Sequence, residues 1–333
     1  MHVPFWAWIA FGAVVVVMLA IDLVAHRKAH VIGFREAAWW SVGWVALALI
    51  FAVVVALTLG GNAGVEFTTA WLLEKSLSVD NLFVFALIFG YFKVPRAYQH
   101  RVLFFGVVGA LVFRAIFLAA GVAIVDKFTA ILFVFAAVLL WSAYKLTKDE
   151  DDSYDPGASI ALRLMRKVVP VRDDYAETKF FVRELGKRVA TPLLAVVVAI
   201  EAADLVFAVD SVPAVLAVSN DAFIVYSSNA FAILGLRALY FLLAGLLEKF
   251  HLLAKGLAVI LAFIGVKLTL QAAHKVISPA VPEIPSLVSL GVIVTVLTAS
   301  VVLSLRRPAA APGPQPATAD AEPRNLVSSP TEG

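Results

Sequence analysis

The sequence predicts an all-α, polytopic membrane protein of about nine transmembrane helices, in which spans 3–5 and 6–8 form an inverted internal repeat. The first observation behind this prediction is composition: 62% of the 333 residues are hydrophobic and 15% are charged, against about 25% charged residues in an ordinary soluble domain. The second is that apolar runs of about 20 residues, long enough to cross a hydrocarbon core of about 30 Å, recur along the chain. The third is that two of these runs carry similar acidic segments.

The apolar runs give the spans in order. Helices are expected because lipid offers the backbone no hydrogen-bond partners. The predicted spans lie near 4–25, 38–59, 67–90, 102–124, 128–146, 190–218, 227–247, 252–273 and 286–305. The first run lacks a preceding basic segment and a small-residue cleavage signal, so we expect it to be retained as a helix. The spans and their loops make residues 1–307 a single transmembrane domain.

The basic residues lie mostly on one side of these spans. Alternate loops and the C-terminal tail hold 21 of the 27 Lys and Arg residues, whereas the opposite loops hold only Lys127 and Lys275. The positive-inside rule therefore predicts an outside N-terminus and a cytoplasmic C-terminus. We expect residues 147–189 to be a cytoplasmic loop, either a solvated charged connector or one whose second part forms a short amphipathic helix. The Pro- and Ala-rich tail, residues 308–333, is predicted to be disordered.

The third and sixth spans share an acidic motif. The third reads EKSLSVDNLFVF and the sixth reads DLVFAVDSVPAV, each with an acid, five residues, an Asp and a small polar residue. The residues concerned are Glu74, Asp80 and Asn81 in the third span and Asp204, Asp210 and Ser211 in the sixth. The two spans run in opposite directions, and inverted repeats are typical of secondary transporters with a site at the membrane midplane. A duplicated scaffold without transport is the alternative.

The spacing within the motif predicts a broken helix. At about 100° per residue, two acids six residues apart point about 120° away from each other. Pro213 cannot donate a hydrogen bond to the carbonyl group of Val209, so we predict a helix break near Pro213 that turns Asp210 toward Asp204. The third span has no equivalent proline.

Charged side chains inside spans are rare and mark ion paths, proton relays or ion pairs. The deep acids are Asp22, Glu74, Asp80, Glu201, Asp204 and Asp210, and the deep bases are Lys75, Arg114, Arg237 and Lys267. Fully ionised, they leave a charge of −2, which one divalent cation would neutralise. We expect Arg114, Arg237 and Asp22 to balance charge around the site. The alternative is that all these groups are structural bridges between helices.

Ligand chemistry narrows the choice of cation. The chain has no cysteine, and its six histidines lie in loops or at span edges. The oxygen ligands that remain suit Mn²⁺, Mg²⁺ or Ca²⁺, and the residues leave that choice open. No catalytic or nucleotide-binding signature is present, so we expect neither an enzyme, nor a permanently bound cofactor, nor binding to nucleic acid.

Four segments carry a resemblance to a known family. EKSLSVDNLFVF, GALVFRAIF, EAADLVFAVDSVPAV and NAFAILGLRALYFLLAGLLEKF resemble signature segments of the TerC family of integral membrane proteins. This resemblance implies a bacterial inner (plasma) membrane protein related to the LysE-type transporter superfamily, with members linked to Mn²⁺ efflux and tellurium resistance. It also implies a metal role for the acidic residues and their polar neighbours, which here are Glu74, Asp80, Asn81, Glu201, Asp204, Asp210 and Ser211.

Export of a hard divalent cation, with Mn²⁺ first, by alternating access is therefore the leading functional hypothesis. The alternative is a membrane partner protein that supports metal loading of secreted enzymes, or a tellurium or stress-response complex, without transport of its own. Direct transport of tellurium oxyanions would favour a positive cavity, and the deep acids argue against it. The partners expected are the lipid bilayer and the cation, while the oligomeric state and any membrane partner are left open.

Overall fold

The structure is a computed structural model, and it describes residues 3–25, 32–148, 162, 165, 179–184, 187–243 and 252–306. Within these residues the chain forms ten helices and one two-stranded sheet. The elements are α1 (Phe5–Ala25), α2 (Phe34–Leu59), α3 (Gly61–Tyr91), α4 (Arg96–Lys127), α5 (Ile131–Lys148), β1 (Phe181–Glu184), β2 (Lys187–Ala190), α6 (Pro192–Leu216), α7 (Ala222–Leu234), α8 (Leu236–Leu243), α9 (Leu253–Val276) and α10 (Ser286–Arg306).

The helical membrane architecture predicted from the sequence is confirmed, and every predicted span overlaps a helix. In the part that the structure describes, seven helices are long and apolar enough to cross a membrane: α1, α2, α4, α5, α6, α9 and α10. The pair α7 and α8, bent by 40° at a short break, makes an eighth if it is one span. The remaining helix, α3, has 31 residues, but every 18-residue stretch of it contains at least three charged residues. The count of nine spans and the inverted repeat stay predictions.

Helix α3 lies at the centre of the bundle and packs against α2, α6, α7 and α10. Apolar clusters surround it: α5 packs along α9, α4 packs along α6, and α1 and α2 pack over α3 and α7. In the third of these clusters, Phe51 stacks on Phe231 with ring centroids 4.5 Å apart, and Phe67 meets Phe231 edge-on. This packing encloses the charged middle of α3 in protein rather than lipid.

The predicted break at Pro213 is wrong. Helix α6 continues through Pro213 to Leu216. The proline loses only its own hydrogen bond, to the carbonyl group of Val209, and the packing of the buried residues 211–216 holds the last turn in place. The carbonyl group of Pro213 still accepts from the amide of Ala217, at 3.0 Å.

The break lies instead in the seventh predicted span, at Gly235. Helix α7 begins after Asp221, whose carboxylate accepts from the amides of Phe223 and Ile224 at 3.0 and 3.3 Å and so caps the helix. It ends at Leu234, and α8 begins two residues later at Leu236. This span is therefore two half-helices that meet at a glycine.

A small hairpin occupies the end of the predicted 147–189 loop. Strands β1 and β2 pair antiparallel, with Phe181 opposite Ala190 and Glu184 opposite Lys187. The sequence analysis did not predict these strands, although Gly186 between two short runs is a hairpin signal. The other residues of this loop, apart from 147–148, 162, 165 and 179–180, lie outside the described residues, as does the 308–333 tail.

Candidate functional site

The side chain of Arg114, on α4, joins the two acidic motifs. Its Nε and Nη2 atoms donate to the Oδ2 and Oδ1 atoms of Asp204 on α6, at 3.2 and 2.8 Å. Its Nη1 atom forms an ion pair with the carboxylate of Glu74 on α3. One carboxylate from each predicted motif therefore meets at a single guanidinium group.

Asn81 completes this group, which we call the Arg114 cluster (Arg114, Glu74, Asp204 and Asn81). A residue seven positions along a helix returns to the same face, so Asn81 lies on the face of α3 that carries Glu74. When its amide nitrogen donates to the carbonyl group of Leu77, at 3.1 Å, its amide oxygen accepts from Nη2 of Arg114, at 3.2 Å. Asp80 precedes it in α3, and the side chain of Asp80 lies outside the part that the structure describes.

The charged groups of the cluster are almost completely removed from solvent. The exposed fractions are 0% for Glu74, 1% for Arg114 and 5% for Asp204. Burying a charge without a partner is costly, and the two-pronged contact between Arg114 and Asp204 is the geometry that best offsets this cost. When all three groups are ionised, two carboxylates face one guanidinium, and the cluster has a formal charge of −1.

Glu201 extends the acidic face of α6 beside the cluster. It lies three residues before Asp204 on the same face of the helix, and the two carboxylates repel each other. Both carboxylate oxygens of Glu201 are buried and have no hydrogen-bond partner among the described residues. The side chain packs against Gly109 of α4, where even a Cβ atom would overlap the carboxylate. The absence of a side chain at Gly109 therefore lets Glu201 approach α4.

A cavity of about 10 Å³ lies next to Arg114 and Asp204, with Gly106, Ala110 and Ile200 in its wall. That volume is about the minimum for one water molecule. In this conformation the guanidinium group itself occupies the space between α3, α4 and α6.

Two other residues of the sixth-span motif do not join the cluster. The carboxylate of Asp210 accepts a hydrogen bond from the hydroxyl of Ser142 on α5, at 2.6 Å. Ser211 is buried, and its hydroxyl has no partner in the described part of the chain. Because α6 is not broken at Pro213, Asp210 is not turned toward Asp204 as the sequence analysis expected.

Asp22 and Arg237 form a second buried ion pair, between α1 and α8. Nη2 of Arg237 donates to the carboxylate of Asp22 and also to its backbone carbonyl group, at 3.1 Å. Both residues are about 95% buried or more. The nearby carboxylate of Glu36 also attracts the guanidinium of Arg237.

The break at Gly235 lies beside the side chain of Lys75, which the sequence analysis places among the deep bases and gives no role in the predicted site. The ammonium group of Lys75 donates to the carbonyl group of Ala232, at 3.1 Å. In an unbroken helix that carbonyl would accept from the amide of Leu236, so the lysine binds at the C-terminal end of α7, where a cation is favoured. A glycine in the middle of an apolar span was the available signal.

Among the described residues, no three His, Asp or Glu side chains lie together as a group that could hold a metal ion. The structure brings Glu74, Asn81 and Asp204 together around Arg114 and leaves Glu201 at their edge. The metal role of the predicted ligands stays a prediction for Glu74, Asp80, Asn81, Glu201, Asp204, Asp210 and Ser211.

Comparison with known proteins supports the resemblance noted in the sequence. The family model described as "Integral membrane protein TerC family" matches residues 59–310, which include every helix from α3 to α10. This chain belongs to the TerC family. It is therefore a multi-pass integral membrane protein of that family.

Several curated relatives resemble this TerC-family protein over most of both chains. An uncharacterized membrane protein of Myxococcus xanthus, STKORF319, is 45% identical over 306 residues, which cover 92% of this chain and 93% of the relative. A protein of Salmonella typhi described as a proposed membrane-bound redox modulator, Alx, is 43% identical over 307 residues, which cover 89% of this chain and 93% of the relative. An uncharacterized membrane protein of Rickettsia bellii is 38% identical over 302 residues, which cover 90% of this chain and 97% of the relative. No solved structure gives a significant match.

Proposed function

We propose that this protein exports a hard divalent metal cation, with Mn²⁺ as the leading candidate, by alternating access around its intramembrane carboxylates. The observation that carries the proposal is the meeting of Glu74 and Asp204 at Arg114 inside the bundle. A carrier that moves a cation through lipid must present oxygen ligands at depth and must neutralise them when the cation has left. The Arg114 cluster contains both the ligands and an internal cation.

In this mechanism Arg114 and the metal are alternative partners of the same carboxylates. While Arg114 is in place, both Glu74 and Asp204 are paired and the empty site is tolerated in the membrane. If Arg114 moves away, two carboxylates and the amide oxygen of Asn81 face one another, with the unpartnered carboxylate of Glu201 beside them. Carboxylate and amide oxygens are the ligands that Mn²⁺, Mg²⁺ and Ca²⁺ prefer.

The return of Arg114 would then release the cation. A guanidinium group that re-enters between Glu74 and Asp204 supplies the charge that the departing metal removes. The site thereby avoids a state in which buried carboxylates are unpaired. We propose that transport is outward across a bacterial inner membrane, as the family resemblance implies. The N-terminus lies outside in this proposal, in line with the positive-inside rule.

Metal flux into proteoliposomes tests this function. The purified protein is reconstituted without other proteins, and Mn²⁺, Mg²⁺, Ca²⁺ and Zn²⁺ are offered separately, with and without a pH gradient, to a fluorescent reporter inside. We expect flux of Mn²⁺ in the wild type and its loss in Glu74→Gln and in Asp204→Asn. Asp126→Asn is the matched control, because Asp126 is an exposed acid near the end of α4, and it should retain flux.

The result also separates transport from the alternative function. Normal flux in both Glu74→Gln and Asp204→Asn would refute the proposed site. A wild-type protein that moves no cation but copurifies with a defined membrane protein would support the partner role instead. The same loss of flux is expected for Asp80→Asn and Asp210→Asn.

The description of some relatives as redox modulators fits this proposal through the metal. The chain has no cysteine, so it has no thiol of its own for redox exchange. We therefore attribute a redox role of this kind to the metal content that the transporter sets.

A further inference from the structure

A cavity of about 570 Å³ lies at the end of the bundle that the positive-inside rule predicts to be cytoplasmic. It is enclosed by the start of α2, the end of α3, the start of α4 and part of α8. The residues that line it are Ile32, Phe34, Ala86, Phe89, Gly90, Lys93, Val94, Arg96, Gln99, Tyr240, Phe241 and Leu242. We call it the α3–α4 cavity. Its volume is in the range of ligand-binding pockets, about 300–1,000 Å³.

One side of the α3–α4 cavity is positively charged and polar. Lys93 lies in the turn that joins α3 to α4, Arg96 is the first residue of α4, and both line the cavity. No carboxylate among the described residues forms an ion pair with either of them, and no described acid lines the cavity. Gln99 and Tyr240 make this side polar: the Tyr240 hydroxyl donates to Oε1 of Gln99 at 3.5 Å, and Nε2 of Gln99 donates to the carbonyl group of Val94 at 3.2 Å, which leaves its second hydrogen for a ligand. This side therefore suits an anion with several acceptor oxygens, such as a phosphate.

The other side of the α3–α4 cavity is apolar and reaches the surface that faces lipid. Phe34, Phe89 and Phe241 line it, and Phe34 is 60% exposed. Leu87, on the helix that contributes Ala86 and Phe89, is 53% exposed. A free phosphate ion would gain nothing from these walls, whereas a phospholipid would place its headgroup at the basic side and its acyl chains along the apolar side.

We propose that the α3–α4 cavity binds an anionic phospholipid, with the headgroup phosphate between Lys93 and Arg96. Basic pockets between transmembrane helices at the cytoplasmic face are suited to anionic headgroups. The same charges make the cavity a poor route for a divalent cation. The cation that the proposed function requires must therefore reach the Arg114 cluster by another path. The lipid site does not depend on metal transport.

The bound lipid would lie beside the Asp22–Arg237 ion pair. Ile32 and Phe241 line both the α3–α4 cavity and a cavity of about 10 Å³ next to that pair. A headgroup held by Arg96 would therefore pack against the residues that separate it from Arg237. Binding should thus stabilise the fold of α8 against α1 and α2.

Titration with defined lipids, followed by native mass spectrometry and thermal unfolding, tests the site without any metal. The wild type should bind phosphatidylglycerol more tightly than phosphatidylethanolamine, which lacks a net negative charge. In Lys93→Gln/Arg96→Gln the affinity for phosphatidylglycerol should fall at least about tenfold. Lys148→Gln/Arg306→Gln is the matched control, because it removes the same charge from the exposed ends of α5 and α10 at the same predicted face.

A steric variant keeps the test decisive if the charge variant is poorly folded. Gly90 lines the cavity, and a Cβ atom added there would meet no atom within 4 Å. Gly90→Trp should therefore fill the cavity, preserve folding and abolish the preference for phosphatidylglycerol. Equal loss of binding in the Lys148→Gln/Arg306→Gln control, or unchanged binding in Gly90→Trp, would overturn the proposal. A thermal shift by inorganic phosphate equal to that by phosphatidylglycerol would also overturn it, because the ligand would then be free phosphate.

Discussion

Arg114→Gln should destabilise the protein strongly and, at the same time, increase its stabilisation by Mn²⁺. The substitution removes the guanidinium that pairs with both Glu74 and Asp204, each at least about 95% buried. Removing one partner of a buried ion pair costs about 3–5 kcal/mol, and two carboxylates lose their partner here, so we expect the upper end of that range.

Mn²⁺ should recover about half of this loss. A ligand that binds only the folded state stabilises it by about 2.7 kcal/mol at 100 times its Kd. In the wild type the metal must first displace Arg114, whereas in Arg114→Gln the carboxylates are already unpaired. The same Mn²⁺ concentration should therefore raise the unfolding temperature of the variant by more than that of the wild type.

The assay is thermal unfolding in detergent, followed by the fluorescence of the seven tryptophans, with a chelator or with Mn²⁺ or Mg²⁺. Arg237→Gln is the control, because it removes a buried guanidinium that lies outside the two acidic motifs and should gain no extra stabilisation from Mn²⁺. Combining Arg114→Met with Glu74→Gln and Asp204→Asn should restore most of the stability, since it removes the unpaired charges. An Mn²⁺ shift in Arg114→Gln no larger than in the wild type would refute the idea that arginine and metal compete.

Three further substitutions test other features of the structure. Pro213→Ala should leave thermal stability within about 1 kcal/mol of the wild type, because α6 is already continuous at that residue. For the same reason it should preserve Mn²⁺ flux into proteoliposomes. Loss of flux would show that transport needs the proline. Gly235→Leu should lower the unfolding temperature, since a Cβ atom there would lie 2.8 Å from Nζ of Lys75; an unchanged temperature would contradict the close contact at the break. Ser142→Ala removes the hydroxyl that donates to Asp210 at 2.6 Å, and it should lower the free energy of unfolding by about 1–3 kcal/mol. The loss should be smaller when Asp210→Asn is already present. Equal losses with and without Asp210→Asn would argue against the contact.

The fold and part of the site were accessible from the sequence because each rests on a local property. The length of an apolar run predicts a membrane helix directly, and a charged residue inside such a run is conspicuous whatever it contacts. Glu74, Asp204 and Arg114 were identified on that basis. Which arginine binds which carboxylate depends on how α3, α4 and α6 pack, and no local pattern contains that information.

The position of the broken helix shows why a local rule can fail. Proline cannot donate to the carbonyl group four residues earlier and its ring crowds that group, yet tertiary packing can keep a helix continuous through it. Pro213 lies three residues from the end of α6, and all residues from 211 to 216 are buried against the rest of the bundle. Gly235 costs a helix less than proline does, yet it lies where two half-helices meet against Lys75 and Trp44. Contacts between elements, and not the helix preference of a single residue, therefore set the position of the break.

Periodicity also explains how Asn81 joins the cluster. Glu74 and Asp80 are the two acids of the third-span motif, and a separation of six residues turns them about 120° apart. A separation of seven returns Asn81 to the face that carries Glu74, and the structure places its amide against Arg114. Asn81 was predicted as a site residue only because it follows Asp80 in the motif, and helical phase adds that it shares a face with Glu74.

The charge balance of the Arg114 cluster favours the binding of a cation. At the other buried arginine, Arg237 forms an ion pair with Asp22 and is also attracted by the carboxylate of Glu36. Arg114 is shared by two carboxylates, so its site keeps a formal charge of −1 even when the arginine is fully bound. That remaining charge would attract an approaching divalent cation to the Arg114 cluster. Because it brings more charge than one guanidinium, it can replace the arginine there without leaving a carboxylate unpaired. The proposed competition therefore requires Arg114 to hold Glu74 and Asp204 when no cation is bound and to leave them when one arrives.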